Sequence, residues 1–238
     1  SNLPSISVTD NNSAQVGGTW SRRSDNFSVI QFDNTSAMGV GAYQIHMPAF
    51  TDNGNVYAAV NLRFNTISGD GSTSNPYALT TREDLSAMRV YSNKVFEIKN
   101  DINLAGMYWE PLGRQQPFQG ILRGDNHTIS NLLINAPNDN YSGLFGKVEN
   151  AKIQDLQFDN VTINSSCQHY IGSLVGEMKE TTVKNVHANN VNIFGGASTG
   201  GLIGSIGDAD NSTVEKVSAE NGFVNSSCTN VNRWNVGG

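Results

Sequence analysis

One short pattern returns along the second half of this chain at a nearly fixed interval. Ser142-Gly143-Leu144-Phe145-Gly146 comes back as Gly172-Ser173-Leu174-Val175-Gly176 and again as Gly200-Gly201-Leu202-Ile203-Gly204. Leu144, Leu174 and Leu202 stand 30 and 28 residues apart, and Val236-Gly237-Gly238 opens one more copy. Downstream of each copy lies a second pattern of five small or apolar positions. It reads Ile153, Leu156, Phe158, Val161, Ile163, then Val183, Val186, Ala188, Val191, Ile193, then Val214, Val217, Ala219, Gly222, Val224. Each position moves by 30 residues and then by 31. A period of this size marks stacked supersecondary units. Independent hairpins in a sandwich would not keep it constant.

A unit of 28–31 residues with three short β segments cannot bury its apolar side alone. Stacking the units closes that side into one core, so the predicted fold is all-β, a parallel β-helix (solenoid). Successive coils then lie about 4.8 Å apart and equivalent side chains pile into columns. Leu144, Leu174 and Leu202 should form one column and Ile163, Ile193 and Val224 another, with the glycines of the motif turning the corners. Asn160, Asn190 and Asn221 align at a corner, where Asn tolerates the bent backbone and stacked amides can bond along the column. The 31 Asn and 24 Gly agree with many turns and argue against a helical bundle.

Residues 1–67 do not show the repeat. Short β-branched or aromatic runs at 5–9, 27–32 and 56–64, separated by Gly17-Gly18, Asp33-Asn34 and residues 52–55, predict an N-terminal β segment. It is either a separate piece or further coils of the solenoid. Residues 68–76, rich in Gly and Ser, form the expected boundary, so the solenoid is assigned to 68–238. Residues 81–91 read as a short capping helix. Thr81 and Asp84 make a box-like cap, and Leu85, Met88 and Tyr91 make the buried stripe. Such a helix would cover the open end of the coils. Residues 128–134 form the first strand pair in register with the later copies.

The net charge is −6 and no basic cluster exceeds Arg22-Arg23, which argues against nucleic acid as a partner. No apolar run approaches the roughly 18–20 residues of a membrane span, so no membrane insertion is expected within these residues. The chain begins at Ser1 and stops inside a copy of its own repeat. The expectation is a piece of a longer protein that continues beyond both ends.

The Gly-Leu-apolar-Gly copies resemble the GLUG repeat of large bacterial surface proteins. The approach to them is similar to the leader of such regions: Asn75-Pro76-Tyr77-Ala78-Leu79 through Leu85, Asn100-Asp101-Ile102-Asn103-Leu104, and residues 118–129. The resemblance covers 68–238 and leaves 1–67 unassigned. It implies a right-handed parallel β-helix in a secreted or surface-anchored bacterial protein, as in adhesins and in non-catalytic parts of immunoglobulin-cleaving metalloproteases. Those enzymes carry zinc on a His-Glu-x-x-His helix. That motif is absent from this sequence, so proteolysis does not carry over.

Candidate chemistry is sparse. His46, His127, His169 and His187 have no metal-ligand spacing and read as surface residues, so no metal or cofactor is expected. Glycoside hydrolysis wants two carboxylates about 5–10 Å apart. Asp155 and Asp159 share one coil, but the next coil places Asn185 and Asn189 at the same positions. Asp70-Gly71-Ser72 and Asp208-Ala209-Asp210-Asn211 are acidic turns without a calcium-loop spacing. Cys167 and Cys228 end identical Asn-Ser-Ser-Cys segments two coils apart. Ideal stacking separates them by about 9.6 Å, beyond the roughly 7 Å a disulfide allows. Export favours pairing, so either both loops bend to form a Cys167–Cys228 bridge or the thiols stay free. Tyr141, Tyr170, Trp109 and Trp234 are the aromatic candidates for stacking on a sugar or anchoring a protein. The leading expectation is a non-enzymatic stalk or adhesive region, secreted or at the cell surface, whose partner is a host or cell-surface glycan or protein. The alternative is a carbohydrate-active β-helix or the accessory region of a secreted protease.

Overall fold

A computed structural model describes residues 5–10, 15–22, 30–33, 41–52, 54–165, 169–207, 211–226 and 236–237. The chain divides into two compact units, Ser1–Ser68 and Gly69–Gly238. In the first, the described strand pairs are antiparallel. Ser7–Asp10, Gly41–Met47 and Val60–Thr66 form a three-stranded sheet with the middle segment at its centre. Thr19–Arg22 pairs with Ile30–Asp33, and Phe50–Asp52 with Asn55–Tyr57. This pairing differs from that of stacked coils, which pair in parallel.

In the second unit, the chain winds as a parallel β-solenoid. The strand Lys152–Asn164 pairs with Thr182–Gly195 through Ile153↔Val183, Leu156↔Val186, Phe158↔Ala188, Val161↔Val191 and Ile163↔Ile193. Thr182–Gly195 pairs in turn with Thr213–Glu220 and Phe223–Ser226. The inward positions of the two longer strands are all buried. Their spacing of three, two, three, two has a backbone cause. Alternation would give two throughout, but Asp155 and Asn160 sit at φ 56°, as do Asn185 and Asn190 at 53° and 54°. Each left-handed residue bends the strand and resets the alternation, so one long strand wraps three sides of the coil.

The Gly-flanked motif supplies the remaining side. Phe145–Glu149, Val175–Lys179 and Ile203–Ile206 stack in that order. Leu144, Leu174 and Leu202 lie in the common core. Thr199–Gly200 pairs with Val236–Gly237, so the last partial copy also stacks in register. The motif glycines do not turn the corners, contrary to the sequence expectation. Positive φ falls instead on Tyr141, Tyr170 and Ser198 before the motif and on Asn150 and Glu180 after it. The glycines are required by close approach. A Cβ on Gly172 would lie 2.5 Å from the Leu202 carbonyl oxygen, and one on Gly176 would lie 2.4 Å from that of Tyr170.

Strands in register with the later coils begin before residue 128. Tyr77–Leu79 pairs with Val95–Ile98, which pairs with Ile121–Arg123 and so with Lys152–Asn164. Ile102–Asn103 underlies Thr128–Ser130. Between the first two strands lies the helix Arg82–Ser86, extended by a 3₁₀ turn Ala87–Arg89. Thr81 and Asp84 form a reciprocal capping box. The Asp84 carboxylate also accepts from the Thr80 N–H and hydroxyl, at 2.9 and 2.8 Å. Leu85 and Met88 join the core, but Tyr91 is 41% exposed and packs on Tyr77 at 5.1 Å. The helical segment ends before Tyr91, so the residue leaves the buried stripe. Thr81→Ala should cost about 1 kcal/mol in denaturant titration, the usual worth of such a cap. Asp84→Ala should cost more, since it orphans the Thr80 and Thr81 amides.

Candidate functional site

The Asn corner is a hydrogen-bond ladder only in part. Asn131 donates to Asn103 at 2.9 Å and Asn160 to Asn131 at 2.6 Å. Above Asn160 the ladder steps sideways: Asn190 donates to Asp159 at 2.9 Å, and Asn221 to Asn189 at 2.7 Å. The amides of Asn160, Asn190 and Asn221 therefore do not bond to one another. A carboxylate is the stronger acceptor, and Asp159 also takes the Asn189 amide at 3.1 Å. Asp155 accepts from Asn185 at 2.9 Å and from Gln154 at 2.8 Å. Both acids are thus engaged as structural acceptors rather than facing each other across a cleft.

The histidines stay apart. His46 meets Asn61 and His127 meets Asp101. The His169 N–H donates to Asn140. His187 is exposed, as a surface residue should be, and sits between Ser218 Oγ at 3.0 Å and Asn185 Oδ1 at 3.2 Å. A hydroxyl and an amide around an imidazole suggest nucleophile chemistry, but this set lies on an open strand face where nothing would exclude water. Among the described residues no three of His, Cys, Asp and Glu group to hold a metal. No described helix is long and apolar enough to cross a membrane. Cys167, Cys228, Trp234 and Asp208-Ala209-Asp210 lie outside the described residues.

Trp109 is buried and 3% exposed, so it is not a free platform. Its indole N–H donates to the Leu144 carbonyl at 3.1 Å, and the guanidiniums of Arg82 and Arg89 lie 5.5 and 5.6 Å from its ring centre. Tyr141 and Tyr170 stack on each other at 4.8 Å and 6°, and Lys147 Nζ lies 4.2 Å from the Tyr141 ring centre. Tyr170 and Lys147 thus both pack on the Tyr141 ring. Burial, with Glu177 nearby, raises the Tyr141 hydroxyl above its ordinary pKa.

Beside this pair runs a polar groove of about 630 Å³ lined by Arg89, Glu110, Pro111, Gly113, Arg114, Gln115, Gln116 and Asp139. The Arg89 side chain donates to the carbonyls of Pro111 and Glu110. Burial pulls its pKa down, but an arginine keeps its charge. Arg114 donates through Nε to the Tyr141 carbonyl and through Nη1 to Asp139, both at 3.3 Å. Its Nη2 is buried with no partner among the described residues. The loop is fixed by Gly113, at φ 72°, where a Cβ would come 2.5 Å from the Lys147 carbonyl oxygen. These residues come from segments outside the repeated pattern, so the period gave no sign that they meet. A smaller cavity of about 190 Å³, lined by Val191, Ala219, Gly222 and Val224 among others, consists largely of core positions at the last described coil.

Surface carboxylates at the start of the solenoid contribute to acid sensitivity. Glu97, held by Lys99 and Arg123, and Asp101, held by the Thr128 N–H and His127, both titrate below their ordinary values. A depressed folded pKa gives stability that is present above the unfolded pKa and lost as pH falls through the folded one. Stability should therefore drop below about pH 4. Denaturant midpoints measured against pH should show a shallower acid drop in Glu97→Gln.

Residues 114–190, about a third of the chain, match the family described as the M26 IgA1-specific metallo-endopeptidase N-terminal region. Over 120 residues the chain is 32% identical to a protein of Evansella cellulosilytica described as a Gly-rich membrane protein, a match covering 45% of this chain and 14% of that protein. Over 155 residues it is 30% identical to the halomucin of Haloquadratum walsbyi, covering 58% of this chain and 2% of that protein. The chain therefore spans a small fraction of the length of either relative. No solved structure matches it. This chain is thus similar to the N-terminal region of a protease family over its central coils, and to short parts of two much longer proteins.

Proposed function

We propose that this chain is a non-enzymatic stalk and attachment region of an exported surface protein. The observation that carries the reading is the parallel stack itself. Coils from Tyr77 to Ser226 share one core, their outward residues are mostly polar, and Asp155 and Asp159 are bound by amides of the next coil. The similarity to a Gly-rich membrane protein and to a halomucin supports placement at a cell surface. A core of this kind presents a fixed outer face, and fixed faces bind with little ordering cost. The partner is a glycan or protein of a host or neighbouring cell.

Beads carrying the 238-residue chain should be retained on cell layers or glycan-coated surfaces under flow, and albumin-coated beads should wash off. Equal retention of the two would sink the attachment reading. A second reading, the accessory region of a secreted protease, is favoured by the match of residues 114–190. It predicts that the chain binds a protease substrate without cleaving it, which a pull-down with immunoglobulin A1 would reveal.

A further inference from the structure

The groove between Arg89, Glu110, Arg114 and Asp139 brings both signs of charge and two amides together. Two guanidiniums and two carboxylates share it with the exposed amides of Gln115 and Gln116. Arg114 pairs with Asp139 through one 3.3 Å contact, and Asp139 is 58% exposed. No side-chain hydrogen bond holds Gln115 or Gln116 among the described residues, and Arg114 Nη2 has no acceptor. Donors and acceptors are therefore present together, and several of them are uncommitted.

We infer that this groove is a binding subsite for a neutral, hydroxyl-rich saccharide, an assignment that rests on the attachment reading and names its ligand class. The opposing charges balance, so a polyanion gains no net attraction there and meets Glu110 and Asp139 as repulsion. An apolar ligand would strip water from charged groups without replacing their bonds. A sugar does neither, because each hydroxyl both donates and accepts. Its hydroxyls donate to Glu110 and Asp139 and accept from the exposed amides of Gln115 and Gln116. The volume of about 630 Å³ falls within the usual range of about 300–1,000 Å³ for small-molecule sites. The walls are fixed in advance. Phe118 N–H donates to the Lys147 carbonyl at 3.1 Å and Gly146 N–H to the Leu112 carbonyl at 2.6 Å, bracketing the loop on both sides. Ordering on binding is then confined to side chains such as Gln115 and Gln116.

The test is an NMR titration of the full 238-residue chain with methyl glycosides of glucose, galactose, mannose and N-acetylglucosamine, and with glucuronate and N-acetylneuraminate as anionic probes. At least one neutral glycoside should shift amide signals of residues 110–116 and 138–139 saturably and more tightly than either acid. Asp139→Asn and Gln116→Ala should each weaken that binding about tenfold, the effect of losing about 1.4 kcal/mol of hydrogen bonding. Their melting temperatures should match the parent, since both side chains are exposed. Tighter binding of an acid, shifts confined to other loops, or no saturable shift at all would overturn the assignment. Failure of the groove and failure of the attachment reading separate cleanly. If the parent chain is retained under flow but the titration shows no saturable shift at the groove, attachment stands on another surface and the groove assignment falls. If the parent chain is not retained, the attachment reading itself falls.

Discussion

Replacing Phe118 by alanine is expected to cost about 3–5 kcal/mol, the range for emptying a fully buried aromatic site. Phe118 is buried between Phe96, with ring centres 6.1 Å apart, and Phe145, at 4.9 Å. The three rings come from successive coils, so the substitution opens a gap along the axis rather than at one wall. The adjoining Gly120 has no side chain to fill it, and a Cβ there would sit 2.8 Å from the Phe118 ring. Urea titration followed by circular dichroism measures the loss. Ile163→Val, a single methyl group from an equally buried position, should cost only about 0.5–1.5 kcal/mol by the same readout. A Phe118→Ala loss no larger than that of Ile163→Val would mean that the ring stack does not hold the early coils together.

The second large effect belongs to the repeated glycines. Gly172→Ala places a methyl group 2.5 Å from the Leu202 carbonyl oxygen, 2.7 Å from that of Val175 and 2.8 Å from the Gly204 nitrogen. All three are backbone atoms fixed by inter-coil pairing, so the coils must separate locally. The expected loss is about 3 kcal/mol, the upper end for overpacking. Gly207→Ala is the control. Its Cβ would meet nothing closer than 3.6 Å, and its φ is not positive. It should stay within about 0.5 kcal/mol of the parent. Equal thermal shifts in the two variants would show that the motif glycines are not there for close approach.

The sequence revealed the coil stack through the side chains that repeat, and it hid whatever does not. Ile153, Val183 and Val214 announce one column because three copies keep one apolar role at one interval. Tyr77, Phe96 and Leu122 continue that column downward, but the intervening loops are shorter and irregular, so no period marks them. Asn160, Asn190 and Asn221 signalled a bent corner because Asn tolerates the left-handed conformation, which Asn131 shares. Tyr141, Tyr170 and Glu180 gave no such signal, since bulky residues rarely adopt it, and the glycines nearby drew the attribution instead. The groove was illegible for a different reason. Arg89, Glu110, Arg114 and Asp139 converge only through the winding of the chain, and each alone reads as a solvated charge. Trp109 looked like an exposed ring because nothing in its neighbourhood says that two distant arginines enclose it.

The hydrogen bonds that join coils run along the solenoid axis, and that direction governs what tension does to the chain. Pulling on the two ends loads these bonds one coil at a time rather than all at once. A coil in place adds about 4.8 Å to the length of the stack. The same coil peeled away releases about 30 residues, or about 100 Å of extended chain. Each detachment therefore lengthens the tether by about twentyfold over the step it gives up, and drops the force on the coils that remain. A stack built this way behaves under load as a reel that pays out line in fixed lengths and can rewind when the pull stops.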